Sequence, residues 1–186
     1  MTVLFVNAAF RENSRTHDLA QKYLSTLTDT VETLNLGEEN IRPLQKASLE
    51  QYCKDTRSHD FQDEMYRYAK QFAKADEIVI AAPFWNFGLP AVLHAYLELV
   101  CTQGITFDLN EAGEYYSLCK AKKLVLILTA GGNVPENDCA ISYLQTLCKE
   151  FWKIEDVRYY YADGIDLVGV DISGKLEAVI KQYGNS

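Results

Sequence analysis

The sequence predicts an α/β protein, a five-stranded parallel sheet in the order 2-1-3-4-5 with helices on both faces. Three observations carry this expectation. Thr2–Asn7 (TVLFVN), Ile78–Ala82 (IVIAA) and Lys123–Thr129 (KLVLILT) are nearly continuous apolar runs, as in strands buried on both faces. Stretches with apolar residues at helical spacing separate the strands. Turn-forming residues fall where strands hand over to helices. The strand order comes from the precedent of doubly wound sheets and not from the pattern itself.

Thr2–Asn7 opens the chain as the first strand. Ser14–Leu27 follows as a helix with Leu19, Tyr23, Leu24 and Leu27 on one side. Val31–Leu36 alternates apolar and polar, as a half-exposed second strand does. From Arg42 to about Asp60 no period is legible, and Pro43 with several charges suggests an insertion or a lid. Phe61, Met65, Tyr68 and Phe72 mark a second helix, leading into the strand at Ile78–Ala82. Pro90 suits the first turn of a third helix, whose core face is Leu89, Leu93, Tyr96, Leu97 and Val100. Gly104–Tyr116 reads as a hairpin or protruding loop. After the strand Lys123–Thr129, the residues Ile141, Leu144, Cys148 and Phe151 give a fourth helix. Val157–Tyr161 is the fifth strand, and Ile172, Leu176, Val179 and Ile180 mark a closing helix.

At 186 residues the chain suffices for one domain, expected to span 1–186. No apolar run is long enough to cross a membrane, and the N-terminus runs straight into a strand without the regions of a signal peptide. The five cysteines are odd in number and form no CxxC pair, which fits neither a disulfide framework nor a zinc site and points to the cytoplasm. A net charge of −8 argues against nucleic acid as a partner. It also requires that an anionic ligand be held locally, by backbone amides or a few arginines.

Three loops leave the carboxyl ends of strands one, three and four, where open α/β sheets bind ligands. The first, Ala8–Thr16, ends at a helix N-terminus whose free N–H groups favour a phosphate. Ser14 and Thr16 add hydroxyls there, and Arg11 or Arg15 adds charge; equally, Asn13 or Ser14 serves as an ordinary N-cap. GxGxxG and Walker A patterns are both missing, so neither a dinucleotide fingerprint nor a P-loop is supported. The second loop, within the run Ala82–Glu98 (APFWNFGLPAVLHAYLE), gathers Phe84, Trp85, Asn86 and Phe87. Its flat side chains suit a flat aromatic ligand, or they close the end of a core. The third loop is Thr129, Ala130, Gly131, Gly132 and Asn133, where paired glycines permit either close backbone approach or a plain turn. His17, His59 and His94 show no metal-ligand spacing, and none of the cysteines has an electropositive setting. Tyr159, Tyr160 and Tyr161 alternate across a strand end, which leaves a substrate-side role open for Tyr161.

These segments resemble the flavodoxin-like FMN-dependent NADH:quinone oxidoreductases, and among them the azoreductases. APFWNFGLPAVLHAYLELVCTQGITF is similar to that family's AP-aromatic-NF…G-(I/V)-T-F stretch, KKLVLILTAGG to its strand-GG segment, and NSRTHDLA to its phosphate turn. The likeness covers most of the chain and is weakest over 40–60. It implies a flavodoxin-like three-layer fold forming one FMN-binding domain. It implies that Ser14, Arg15 and Thr16 hold the FMN phosphate. Phe84, Trp85, Asn86 and Phe87 would then line the isoalloxazine, and Thr129, Ala130, Gly131 and Gly132 reach its pyrimidine edge. It places Phe107 where the family often sets an aromatic over a neighbouring subunit's flavin, in a homodimer. It implies ping-pong transfer of two electrons from NADH or NADPH to a quinone, azo or nitroaromatic compound, with the flavin carrying the chemistry. Three positions depart from the family: Ala8 replaces a common serine, Ala130 a common arginine, and Asp108 a common basic residue. Each lowers positive charge or donor count. A flavodoxin-type one-electron carrier is the alternative that the acidity favours, and a flavin-free binding module of the same fold is a third. The 2′-phosphate of NADPH has no legible motif, with Arg57 or Arg67 as the nearest candidates.

Overall fold

A computed structural model describes residues 1–136 and 138–183. Five strands form one sheet in the order β2-β1-β3-β6-β7, all neighbours parallel. They are β1 (Thr2–Asn7), β2 (Thr30–Asn35), β3 (Glu77–Pro83), β6 (Lys123–Thr129) and β7 (Asp156–Ala162). The two remaining strands, β4 (Phe107–Leu109) and β5 (Tyr115–Ser117), form the expected hairpin as a separate antiparallel pair. With the hairpin set aside, the order is the predicted 2-1-3-4-5.

Alternate residues of the three central strands enter two cores. Leu4, Val6, Ile78, Ile80, Leu124 and Leu126 face helices α3 (Arg67–Lys74), α4 (Ala91–Val100) and α5 (Cys139–Leu147). Val3, Phe5, Val79, Val125 and Ile127 face α1 (Arg15–Leu24) and α6 (Ile172–Tyr183). Burial on both sides is why these strands read as unbroken apolar runs. The largest fully buried side chain is Trp152, whose ring centroid lies 4.5 Å from that of Phe72. It sits in a π-helical turn, Cys148–Trp152, that prolongs α5. At the sheet edge opposite the predicted site, Glu77 is buried and accepts a hydrogen bond from the Tyr23 hydroxyl (2.9 Å), while Lys123 Nζ lies 3.3 Å from it. Such a buried carboxylate needs both partners, and they tie α1 to β3 and β6.

Residues 42–60 are not an irregular insertion: α2 (Lys46–Ser58) occupies most of that stretch, so the chain has six α-helices among the described residues where five were expected. The Gln45 N–H donates to Ser48 Oγ (2.8 Å), one arm of a cap. The residue that α2 buries is Asp55, which accepts from Tyr66 Oη (2.9 Å) and Gln51 Nε2 (2.6 Å). A helix anchored by a carboxylate shows no apolar stripe, so periodicity missed it. The helix expected to begin near Phe61 begins at Arg67 after a single 3₁₀ turn, Glu64–Tyr66; Phe61 instead packs edge-on against Tyr66.

Truncating Trp152→Ala empties the site against Phe72 and should cost about 3–5 kcal/mol, read as a lower denaturant midpoint at unchanged slope. Burial pushes the Cys101, Cys119 and Cys148 thiols up to about 12. Because the folded form holds these protons more tightly, their contribution is intact below the free-thiol value and is lost as pH rises from there toward 12. In native protein near neutral pH, a disulfide reagent should therefore titrate Cys53 and Cys139, which are exposed, react slowly with the partly exposed Cys101, and reach Cys119 and Cys148 only on unfolding.

Candidate functional site

The loops after β1, β3 and β6 leave the sheet side by side, because β3 pairs with both neighbours in parallel. Between them lies a cavity of about 270 Å³. Ser14, Arg15, Thr16, Phe84, Trp85, Thr129 and Gly131 line it, so seven of the predicted residues from three separated segments meet in one place. Asn86 and Phe87 stand beside it at the tip of the β3 loop, and Ala130 and Gly132 belong to the same turn as Gly131. Tyr161 projects from the end of edge strand β7, about half exposed and outside the cavity lining.

Ser14 caps α1: its backbone is extended and its Oγ accepts from the His17 N–H at 3.3 Å. The cap reading and the ligand reading therefore coexist, since the amides of Arg15 and Thr16, the first two helical residues, have no partner within the helix. Thr16 is buried, and its hydroxyl lies 2.6 Å from that of Thr129. One hydroxyl donates and the other keeps its proton for a further acceptor. Arg15 Nη1 lies 2.7 Å from Asp166 Oδ1. Arg11 supplies a second guanidinium to the lining.

The β3 loop is a tight reversal. Trp85 and Gly88 exchange backbone hydrogen bonds of 3.0 and 2.9 Å, and Asn86 and Phe87 both take positive φ, 52° and 60°. Two left-handed residues between such a pair are the signature of a type I′ turn, which favours Asn first and Gly second. Phe87 in the second place is a strained choice. Phe87 is 71% exposed and Trp85 49%, so the turn presents aromatic surface to solvent. Phe84 is tied down, its N–H donating to the Thr129 carbonyl at 2.9 Å.

The Gly131–Gly132 turn is locked to a fourth loop, after β7. Gly164 N–H donates to the Gly132 carbonyl (2.8 Å) and Asp166 N–H to that of Gly131 (3.0 Å). A Cβ on Gly131 would meet Asp166 Oδ2 at 2.6 Å, so any side chain there would displace the Asp166 carboxylate. Ala130 offers no free donor, since its own N–H is bonded to the Ala162 carbonyl (2.9 Å). Ile165 and Asp166 complete the lining and escaped the sequence reading. The one signal for them was a glycine, Gly164, two residues beyond the fifth strand, the same punctuation that marked the other loops.

Phe107 lies elsewhere. It is buried in its own chain, stacked face to face on Phe151 at 4.1 Å and 7°. The hairpin exposes Tyr115, Tyr116, Leu109 and Leu118 instead. Asp108 is held below the usual carboxylate range, first by the Gln103 side chain (3.0 Å) and then by the Leu109 N–H (2.8 Å), so it keeps its negative charge. Arg67 is taken by Glu39, Glu64 and the Tyr68 hydroxyl. A larger groove of about 890 Å³ runs along the outer side of α4, lined mainly by apolar residues with His94 and Glu98 among them. It lacks the convergent donors of the smaller cavity. Among the described residues no cluster of three or more His, Cys, Asp or Glu could hold a metal ion, and no helix is long and apolar enough to cross a membrane.

Comparison with known proteins agrees with this fold. A family described as having the flavodoxin-like fold matches residues 1–186. An FMN-dependent NADH:quinone oxidoreductase of Coprothermobacter proteolyticus is 33% identical, covering 97% of this chain and 94% of the relative. One from Clostridium acetobutylicum is 34% identical with the same coverage, 97% and 94%. Among solved structures, an azoreductase from Bacillus anthracis aligns with a TM-score of 0.86 at 24% identity, over 100% of this chain and 97% of that one. An FMN-dependent NADH-azoreductase from the same species, in complex with FMN, aligns at 0.81 and 20%, with 100% and 97% covered; likenesses at this identity speak to the fold. The chain belongs to the flavodoxin-like fold family and, within it, to the family of FMN-dependent NADH:quinone oxidoreductases.

Proposed function

We propose that this protein is an FMN-dependent oxidoreductase that passes two electrons from NADH to a quinone or azo compound by a ping-pong route. The single observation behind it is the meeting, in one cavity, of a helix N-terminus with Ser14, Arg15 and Thr16, a half-exposed Trp85, and a glycine turn at Gly131. These residues fit FMN. Amides, hydroxyls and two arginines suit the phosphate, and an open aromatic face suits the ring. A Cβ on Gly132 would touch nothing within 4 Å, which leaves room for a ring edge at that backbone. FMN, when bound, supplies the hydride-accepting and hydride-donating chemistry. The chain supplies position and charge. The α1 amides and Thr16 anchor the anionic end, and the rings of Phe84 and Trp85 shield one side from water. The amides of Asn86 and Gly132 offer hydrogen bonds where negative charge develops.

The one-electron carrier reading is set aside because the curated relatives are named as NADH:quinone oxidoreductases. NADH is preferred over NADPH on the same names. The whole of 1–186 acts as one FMN-binding domain, in the cytoplasm, where five unpaired cysteines stay reduced. Nitroaromatics belong to the same acceptor class. A homodimer is supported by three unpartnered surfaces: the groove along α4, the Trp85–Phe87 tip, and the hairpin tyrosines. Phe107 reaches a neighbour's flavin only if the hairpin yields its stacking on Phe151.

Under anaerobic conditions, protein incubated with FMN should show a bound flavin band that NADH bleaches in full and a quinone or azo dye restores. A bound flavin that NADH leaves unchanged would return the chain to the carrier class. Sedimentation of the flavin-loaded protein should give twice the 21.1 kDa of the chain; a monomer with full activity would remove the shared-site arrangement.

A further inference from the structure

We propose that Asp166 sets how tightly the site holds the cofactor's phosphate, by competing with that phosphate for Arg15. The inference rests on the FMN reading above. Arg15 and Asp166 line the same cavity and are joined at 2.7 Å across it. Arg15 stands at the first position of α1, next to the amides that would receive a phosphate. Its guanidinium therefore faces two anions, one carried by the chain and one brought by the ligand.

The position of Asp166 is specified by the fold. Its N–H is bonded to the Gly131 carbonyl at 3.0 Å, and its carboxylate fills the space that a side chain at Gly131 would need. Ile165, its neighbour, is buried and bonded to the Ala130 carbonyl at 3.2 Å, so the backbone on both sides is held. The carboxylate itself is 66% exposed. An exposed ion pair of this kind is weak, and a phosphate with three acceptor oxygens and more charge displaces it. The displaced carboxylate stays close, its backbone fixed, and its charge opposes that of the phosphate that Arg15 and the α1 amides would receive. Asp166 thus lowers affinity for the phosphorylated flavin through Arg15. The function that follows is a site that holds FMN less tightly, and so exchanges it more readily, than the same cradle would without this carboxylate.

The test titrates FMN and riboflavin separately into full-length protein freed of flavin, following quenching of flavin fluorescence at low salt. Asp166→Asn should tighten FMN binding about threefold to fivefold and leave riboflavin within about twofold. The gain should shrink in high salt and fall below about twofold in an Arg15→Gln background. Weaker or unchanged FMN binding in Asp166→Asn would show that Asp166 positions Arg15 or does nothing, and would overturn the proposal. An equal gain for riboflavin, or a gain that survives Arg15→Gln, would overturn it too. Binding of neither flavin to the unmodified protein would reject the FMN reading itself, an outcome distinct from these.

Discussion

Three hydrogen bonds carry the central ladder past the ends of its strands. Ala8 N–H reaches the Ala81 carbonyl at 2.8 Å, Phe84 N–H reaches Thr129 at 2.9 Å, and Ala130 N–H reaches Ala162 at 2.9 Å. Each acceptor residue is buried, so breaking any one of these bonds strands a backbone group away from water. The loops are therefore not free until a residue or two beyond the strands. Ligand-facing groups on three distant segments inherit the regularity of the sheet. Parallel pairing makes this possible, because only in a parallel sheet do neighbouring strands end on one edge.

The fourth loop works differently. It has no strand of its own beyond β7 to compete for, and it is fastened to the Gly131–Gly132 turn instead. The result is a wall of the cavity that rests on another wall. A change at Gly131 is felt at Asp166, and through it at Arg15, although these residues lie on two different loops and a helix. Coupling of this kind needs no long pathway, only a glycine packed under a carboxylate.

What the sequence revealed and what it hid follow from which forces leave a pattern. Strands β1, β3 and β6 were legible because burial on both faces forces unbroken apolar runs. Seven residues that line the cavity were legible because the loops at one sheet edge share a recognisable chemistry, and β3 places them together. Helix α2 was hidden because Asp55, and not an apolar stripe, holds it to Tyr66. The burial of Phe107 was hidden because it depends on Phe151, which a π-turn at the end of α5 brings to the hairpin; a regular helix would have aimed that ring elsewhere. Asp166 was hidden because an aspartate after a strand is common in any loop, and only the 2.7 Å contact with a residue 151 positions away gives it meaning.

The two tryptophans divide the chain's optical properties between them. Trp152 is fully enclosed beside Phe72, in a setting that no small ligand reaches. Trp85 stands half in water on the lining of the cavity between the three loops. One indole emits from a dry interior and the other from a wet rim, so their spectra separate by polarity. The first reports the integrity of the core and the second the occupancy of the site. The protein in this way carries its own pair of fluorophores, one for the core and one for the candidate site.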